Sequence, residues 1–290
     1  MIAAAPKTLL FTVLALSAFA GNSILCRLAL SDYAIDAASF TTVRLICGAL
    51  TLSILIFVGT NKRDRARRNR SWKNGLLLFI YAAAFSFAYQ YLDTGTGALL
   101  LFAAVQITMI GASLARGKHL SAKEYLGTAV AFAGLAYLMA PGVTQPSILG
   151  LVLMSMAGLA WGLYSLAGRG STNPIADTGD NFTAAVPLAA ALSLFFLSDV
   201  QLSTVGLILA GLSGGLTSGI GYVFWYTALP ALSEIEAGVL QLTVPVIAAL
   251  GGVLFASESV SLRLVVSSVL VLGGILIVIL GRRPPRGSKS

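Results

Sequence analysis

Charge is what this chain has least of. Only 10% of its 290 residues are Asp, Glu, Lys or Arg, where a soluble domain carries about 25%; 57% are hydrophobic and the mean hydropathy is +0.88. No water-soluble fold hides that much apolar surface, so the composition excludes a soluble globular domain and leaves an all-α integral membrane protein in a lipid bilayer. The single histidine, His119, lies in a polar turn, and the two cysteines, Cys26 and Cys47, lie in apolar stretches where they read as small packing residues. No His/Cys/Asp/Glu cluster has metal-ligand spacing, so neither a metal nor another cofactor is expected. There is no G-x-x-x-x-G-K-[ST] loop and no polar segment long enough for a nucleotide-binding domain, which excludes ATP as the direct driver. The eleven carboxylates lie near helix ends or in loops. A Ser-His-acid set and a central proton-carrying acid are therefore both unreadable, and an enzyme is not expected. The net charge of +8 sits in short clusters between apolar runs, a mark of membrane topology rather than of nucleic-acid binding.

What is present is a series of apolar runs. A spanning helix needs about 20 mainly apolar residues, and ten such runs are read: Thr8–Ala29, Ala37–Val58, Asn74–Leu92, Gly97–Ala115, Ala122–Ala140, Ile148–Gly168, Asn181–Leu197, Leu202–Leu229, Ile235–Ala256 and Leu262–Leu280. The loop after the second run holds Lys62, Arg63, Arg65, Arg67, Arg68, Arg70 and Lys73. Counting alternate loops, the same side receives Lys7, Arg116, Lys118, Lys123, Arg169, Arg282, Arg283, Arg286 and Lys289, which makes sixteen of nineteen bases. The other side receives Asp32, Asp36, Asp93, Asp199 and Glu258, with Arg263. Positively charged loops stay in the cytoplasm, so both termini are expected there, with the chain in a bacterial inner membrane as a multi-pass protein. Lys7 followed by an apolar run and Ala18-Phe19-Ala20 resembles a signal peptide, but the internal repeat makes the first helix one member of a matched set and argues for its retention.

That repeat is read at a constant offset of 140 residues: Gly97–Ala136 echoes Ala237–Leu276, with Leu100/Leu240, Ile107/Ile247, Gly111/Gly251, Leu114/Leu254, Ser121/Ser261 and Gly134/Gly274 identical. Six identities in forty are few, but the layout is shared: an apolar helix, a polar turn ending in Ser, and a second helix carrying Gly. Ala20-Gly21-Asn22-Ser23 aligns with Trp161-Gly162-Leu163-Tyr164, and Ser39-Phe40-Thr41-Thr42 with Asn181-Phe182-Thr183-Ala184. The halves divide as 1–140 and 141–290, the second with a basic cytoplasmic tail. Five helices is an odd number, so the second copy enters the membrane from the opposite side. The expected fold is ten transmembrane helices arranged as two five-helix inverted repeats, the construction that lets one site face either side by alternating access.

Gly21-Asn22-Ser23 with Arg27, Arg44 in the second helix, Trp161-Gly162-Leu163-Tyr164 in the sixth, and Leu242-Thr243-Val244-Pro245 leading to Phe255-Ala256-Ser257-Glu258 carry a resemblance to the drug/metabolite transporter superfamily, EamA type. The resemblance covers essentially the whole chain and is closest to bacterial inner-membrane exporters of aromatic amino acids. It implies a small-molecule substrate, an amino acid or related metabolite. Ala20, Val105 and Lys118 depart from the family pattern, which weakens any carry-over to the fourth helix.

Arg44 is the one base well inside an apolar run, about eight residues or roughly 12 Å from its outer end at helical rise. An ionisable group there needs a cavity or a partner: either it holds a substrate carboxylate, or it pairs with Asp93, Asp199 or Glu258 or sits in a hydrated mouth. The amides Asn22, Gln90, Gln106 and Gln241 need hydrogen-bond partners in lipid and serve either substrate or helix contacts. Tyr81, Tyr89, Trp161, Tyr164, Tyr222, Trp225 and Tyr226 offer rings with polar handles, and Trp161 and Tyr164, three apart on one face, lead that group. Tyr33, Trp72 and Tyr91, near helix ends, read as interfacial anchors. Gly211, Gly215 and Gly219 recur every fourth residue and allow close helix approach, either for sliding or for static packing. Pro245 frees a carbonyl and is expected to bend the ninth helix as a hinge or a fixed kink. A different substrate, such as a cationic drug or a sugar-like metabolite, is the alternative; a cation would want an accessible intramembrane carboxylate, and none is readable.

Overall fold

The computed structural model describes residues 6–31, 34–59, 71–115, 121–140, 146–168, 171, 173–232 and 240–281. Ten helices result: α1 (Pro6–Ser31), α2 (Ala37–Gly59), α3 (Trp72–Ala88), α4 (Thr94–Ala115), α5 (Ala122–Met139), α6 (Ile148–Gly168), α7 (Pro174–Phe195), α8 (Thr204–Ala228), α9 (Thr243–Phe255) and α10 (Leu262–Gly281). Among the described residues the one β pairing is an isolated antiparallel bridge between Ile35 and Leu202. The Lys- and Arg-rich segments at 60–70, 116–120, 169–170 and 282–290, along with Asp32, Tyr33 and His119, lie outside the described residues.

Five helices, α1, α2, α4, α6 and α8, are long and apolar enough to cross a membrane unaided; α3, α9 and α10 are shorter apolar helices. The outer surface is rich in large apolar side chains such as Phe57 (74% exposed) and Phe195 (81%). Water would penalise that surface, whereas lipid solvates it.

Local chemistry sets the helix starts. Ser71 accepts from the Asn74 amide at the start of α3, and Ser203 from Gly206 at the start of α8. Ser121 and Ser261, aligned by the internal repeat, perform the same task for α5 and α10: Ser121 forms a reciprocal capping box with Glu124, and Ser261 accepts from the Leu264 amide. Three boundaries differ from expectation. The seventh helix starts at Pro174, capped by Asn173, rather than at Asn181, so Asp177 and Asp180 belong to the helix and not to the preceding loop. Proline at the first helical position with Asn before it is a strong start signal that outweighs local polarity. The third helix ends at Ala88, which puts Gln90 in an exposed turn rather than within the apolar core. The ninth restarts at Thr243 after a turn at Leu242, so Pro245 sits in its first turn instead of bending a long helix from within. The proposed beginning of that helix at Ile235 lies outside the described residues.

Packing is organised in helix pairs. α2 packs on α7, α4 on α9 and α5 on α10, and each of these pairs runs antiparallel. In the first, Thr42 Oγ1 donates to the Ala189 carbonyl at 2.9 Å, Ser193 Oγ to that of Ala38 at 3.3 Å, and Gly48 lies under the Phe182 ring. In the second, Gly95 faces Ala249 and Gly252 faces Thr94. In the third, Gly127 abuts Gly274 and Val278, Gly134 abuts Leu270 and Val271, and Ser121 Oγ reaches the Gly281 carbonyl at 3.2 Å. Three further pairs of contacts match: α1–α8 with α3–α6, α1–α9 with α4–α6, and α2–α8 with α3–α7. Exchanging helix n with helix n+5 turns each of these contacts into its counterpart.

One end of the bundle gathers Asp36, Asp93, Asp199 and Glu258 and is termed the acidic end. Its turns at 34–36 and 196–203 are joined by the Ile35–Leu202 bridge and by the Asp36 amide donating to the Gln201 carbonyl at 3.1 Å. The opposite end, where α1, α3, α5 and α7 begin, adjoins the Lys- and Arg-rich segments in sequence and is termed the basic end.

Candidate functional site

Six helices, three from each half, meet around Arg44. The guanidinium is 1% exposed. Its Nε donates to Ser218 Oγ at 3.1 Å, and one Nη donates to Tyr81 Oη at 3.2 Å and to Tyr222 Oη at 3.5 Å. The rings of Tyr81 and Phe85 lie 5.2 and 5.1 Å from its Cζ. The other nitrogen, Nη1, has no partner among the described residues. Burying a charge costs several kcal/mol per ion after relaxation. Two cation–π contacts at about 0.5–2 kcal/mol each and three hydrogen bonds to uncharged hydroxyls offset part of this. No carboxylate among the described residues pairs with Arg44.

The ion-pair alternative is corrected by a different arginine. Arg27 of α1 takes Glu258 at 2.9 Å and Asp93 at 3.3 Å, and donates to the Tyr89 carbonyl at 3.0 Å. Glu258 in turn accepts from the Thr94 amide and hydroxyl at 2.9 and 3.1 Å. Asp199, the third candidate partner, instead accepts from Ser198 Oγ at 3.2 Å.

The second polar group in the box is Asn22. Its Nδ2 donates to Tyr81 Oη at 3.4 Å, while its Oδ1 accepts from Ser213 at 2.7 Å, Thr217 at 3.4 Å and Ser218 at 3.5 Å. Three hydroxyls on positions i, i+4 and i+5 reach one oxygen because residues Ser213–Ile220 are π-helical; the wider turn aligns positions that an α-helix would splay, a form common at functional sites. The glycines beside them permit close approach to α2. A Cβ on Gly214 would collide with the Arg44 carbonyl, and one on Gly215 would lie 2.9 Å from Thr51 Oγ1. Gly211 and Gly219 also face α2, near Cys47 and near Thr51 and Gly48.

Rings close the box. Trp161 lies 4.9 Å from Tyr81, 4.8 Å from Tyr222, 5.6 Å from Tyr164 and 6.0 Å from Phe19. Trp225 touches Phe19 at 5.7 Å and Phe182 touches Tyr222 at 5.8 Å. Tyr164 accepts from Asn181 Nδ2 at 3.2 Å.

Of the residues expected from sequence, Asn22, Arg44, Tyr81, Trp161 and Tyr222 converge, with Tyr164 and Trp225 adjoining. Tyr89 is one layer toward the acidic end, against Phe85 at 4.8 Å, with its hydroxyl on the Thr94 carbonyl at 3.4 Å. Gln106 lines a small gap between α4, α5 and α10, away from the box. Gln241 is buried just before α9. Ser213, Thr217, Ser218, Phe19, Phe85, Phe182 and Asn181 were not singled out as site residues. The need of Asn22 for donors was the available signal for the three hydroxyls.

The EamA-like transporter family model matches this chain twice, over residues 6–140 and 148–280. The chain belongs to the EamA-like transporter family, and so is a membrane transporter of the drug/metabolite class rather than an enzyme. It is similar to an uncharacterized protein of Pseudomonas aeruginosa, 48% identical over 285 residues, spanning 97% of this chain and 99% of the relative. It is also similar to an uncharacterized transporter of Archaeoglobus fulgidus, 26% identical over 206 residues (69% of this chain, 73% of the relative), and to the uncharacterized transporter YyaM of Bacillus subtilis, 25% identical over 250 residues (80% of each). A protein of known crystal structure shares the fold with TM-score 0.65 at 18% identity, over 94% of this chain and 99% of its own.

Proposed function

We propose that this protein exports small metabolites bearing a carboxylate, foremost aromatic or hydrophobic amino acids, across a bacterial inner membrane. The observation that carries the reading is Arg44: a buried guanidinium in a ring-lined box, with Nη1 unpartnered and no carboxylate of its own. A carboxylate accepts charge-assisted hydrogen bonds from a guanidinium, Nη1 is left for one, and a substrate that brings a carboxylate supplies the missing charge. Asn22 orients its polar end, and Trp161, Tyr164, Tyr81 and Tyr222 pack its apolar part.

The halves 1–140 and 141–290 work as inverted repeats by alternating access. Support comes from the antiparallel α2–α7, α4–α9 and α5–α10 pairs and from the three matched pairs of contacts between the halves. Parallel repeats would pair equivalent helices in the same direction. The basic end, with both termini, faces the cytoplasm under the positive-inside rule, and the acidic end is the exit. The gating roles of Gly211, Gly215, Gly219 and Pro245 follow from this scheme: the first three sit where α8 moves against α2, and the last where α9 restarts after a turn.

The test is counterflow in proteoliposomes across a panel of amino acids. Saturable exchange of aromatic or large apolar members supports the reading, and Trp161→Ala is expected to weaken their affinity about tenfold, as loss of a buried aromatic contact does. No exchange of any amino acid would sink it.

A further inference from the structure

A polar cavity of about 150 Å³ opens at the basic end, outside the Arg44 box. By the share of liquid volume that one water occupies, it holds about five waters, room for the charged head of an amino acid. Its wall includes Asn74 of α3, Tyr164 of α6, Asp177 and Asn181 of α7, and Tyr226 of α8. Among the described residues that line it there is no Lys or Arg, and Asp177 is the one carboxylate.

The chemistry of this wall is that of a cation site. Asp177 sits in the first turn of α7, where the helix dipole favours a negative charge. Ser171 Oγ donates to Asp177 Oδ2 at 2.5 Å; that occupies one of about four acceptor positions on the carboxylate. Tyr164 and Tyr226 add aromatic side chains, a residue type that attracts ammonium groups, and Asn74 and Asn181 add amides. The cavity wall also touches the box through packed rings. Tyr164 lines the cavity and touches Trp161, which touches Tyr81 and Tyr222, and both of those hydroxyls accept from Arg44. A carboxylate in the cavity wall and a guanidinium beyond the packed rings present opposite charges on the two sides of Trp161.

We infer that this cavity is a loading subsite, where Asp177 captures the ammonium group of the substrate before the substrate's carboxylate reaches Arg44. The protein then selects zwitterions over simple carboxylic acids. This rests on the reading of Arg44 as the carboxylate site, and the probes below separate the two.

The experiment is calorimetric binding to the full chain in detergent with three probes: phenylalanine, 3-phenylpropionate (no ammonium) and 2-phenylethylamine (no carboxylate). Wild type is expected to bind phenylalanine about tenfold more tightly than 3-phenylpropionate, the size of one charge-assisted contact. Asp177→Asn should abolish that preference by weakening phenylalanine and phenylethylamine and leave 3-phenylpropionate unchanged, while Asp177→Glu, which keeps the charge, retains it and serves as the folding control. Arg44→Gln should do the reverse, losing 3-phenylpropionate and keeping phenylethylamine. An unchanged preference in Asp177→Asn overturns the subsite, as does a wild type that binds 3-phenylpropionate as tightly as phenylalanine. Amine binding that depends on Asp177, with neither carboxylate probe bound, leaves the subsite standing and overturns the amino acid reading. Failure of wild type to bind any probe overturns both.

Discussion

At the acidic end, Arg27 holds Glu258 and Asp93 together, Glu258 is further held by the Thr94 amide and hydroxyl, and the Ile35–Leu202 bridge joins two more turns. At the basic end, a polar cavity opens between α3, α6, α7 and α8, and its wall reaches Tyr164 and Asn181. The ties at one end span both halves of the chain, from α1 to the turn between α9 and α10. The acidic end is tied together by charge and backbone pairing, whereas the basic end holds a polar cavity. The comparison separates two tasks for arginine in one protein: Arg27, 19% exposed in its side chain, is neutralised by two carboxylates, whereas Arg44, 1% exposed, is kept without one. The first is spent on ties within the protein, and the second keeps Nη1 without a partner among the described residues.

The largest effect is expected from exchanging the tasks. Arg44→Glu places an acid where a carboxylate should bind, and amino acid counterflow should fall at least about 100-fold, since like-charge repulsion replaces a charge-assisted fork. Arg44→Lys keeps the charge and loses the planar fork, so a loss of roughly tenfold in affinity is expected, read as a higher half-saturation concentration.

Opening the acidic end is the next test. Glu258→Gln removes one of the two charges on Arg27 and weakens the hold on Thr94. Labelling of a cysteine introduced at Ser86, in the buried face of α3, by a membrane-impermeant thiol reagent added from the acidic side should rise several-fold, with the native cysteines replaced by serine. Asp93→Asn should raise it less, because Asp93 is 60% exposed and its pair is long at 3.3 Å; exposed pairs contribute about 0–1 kcal/mol. Equal effects of the two variants would remove the distinction between a buried latch and a surface pair.

How much of this was legible in the sequence depends on distance along the chain. The ten apolar runs and the Ser caps of α5 and α10 were readable because apolarity and capping are local properties. So was the isolation of Arg44 within an apolar run. The early start of α7 was missed because Asp177, Thr178 and Asp180 lower the apolarity of its first turns, although Asn173-Pro174 carried the start signal. Gln90 was placed too deep because the polar turn after Ala88 contains Tyr89, Tyr91 and Leu92, which extend an apolar run by composition alone. The pairing of Arg27 with Glu258 joins residues 231 positions apart, and no local pattern states which of two arginines takes which acid. The π-helical turn of α8 was hidden for a similar reason: its glycines read as a packing stripe, and the hydroxyls between them acquire meaning only once Asn22 lies opposite.

A smaller effect tests the close approach of α8 to α2. Gly214→Ala brings a methyl group against the Arg44 carbonyl and should destabilise the protein by about 1–3 kcal/mol, the usual cost of overpacking, seen as a lower unfolding temperature in detergent. Gly111→Ala and Gly273→Ala, with nothing within 4 Å of the added carbon, should leave that temperature unchanged or raise it slightly, since alanine is the better helix former.

The central claim is that Arg44 receives the carboxylate of a transported amino acid. Its most direct measurement is counterflow of radiolabelled phenylalanine in proteoliposomes holding wild type or Arg44→Gln, with both proteins shown to elute as the same monodisperse species. The account predicts saturable exchange by wild type and its loss in the variant. Exchange by Arg44→Gln at the wild-type rate and affinity would contradict it.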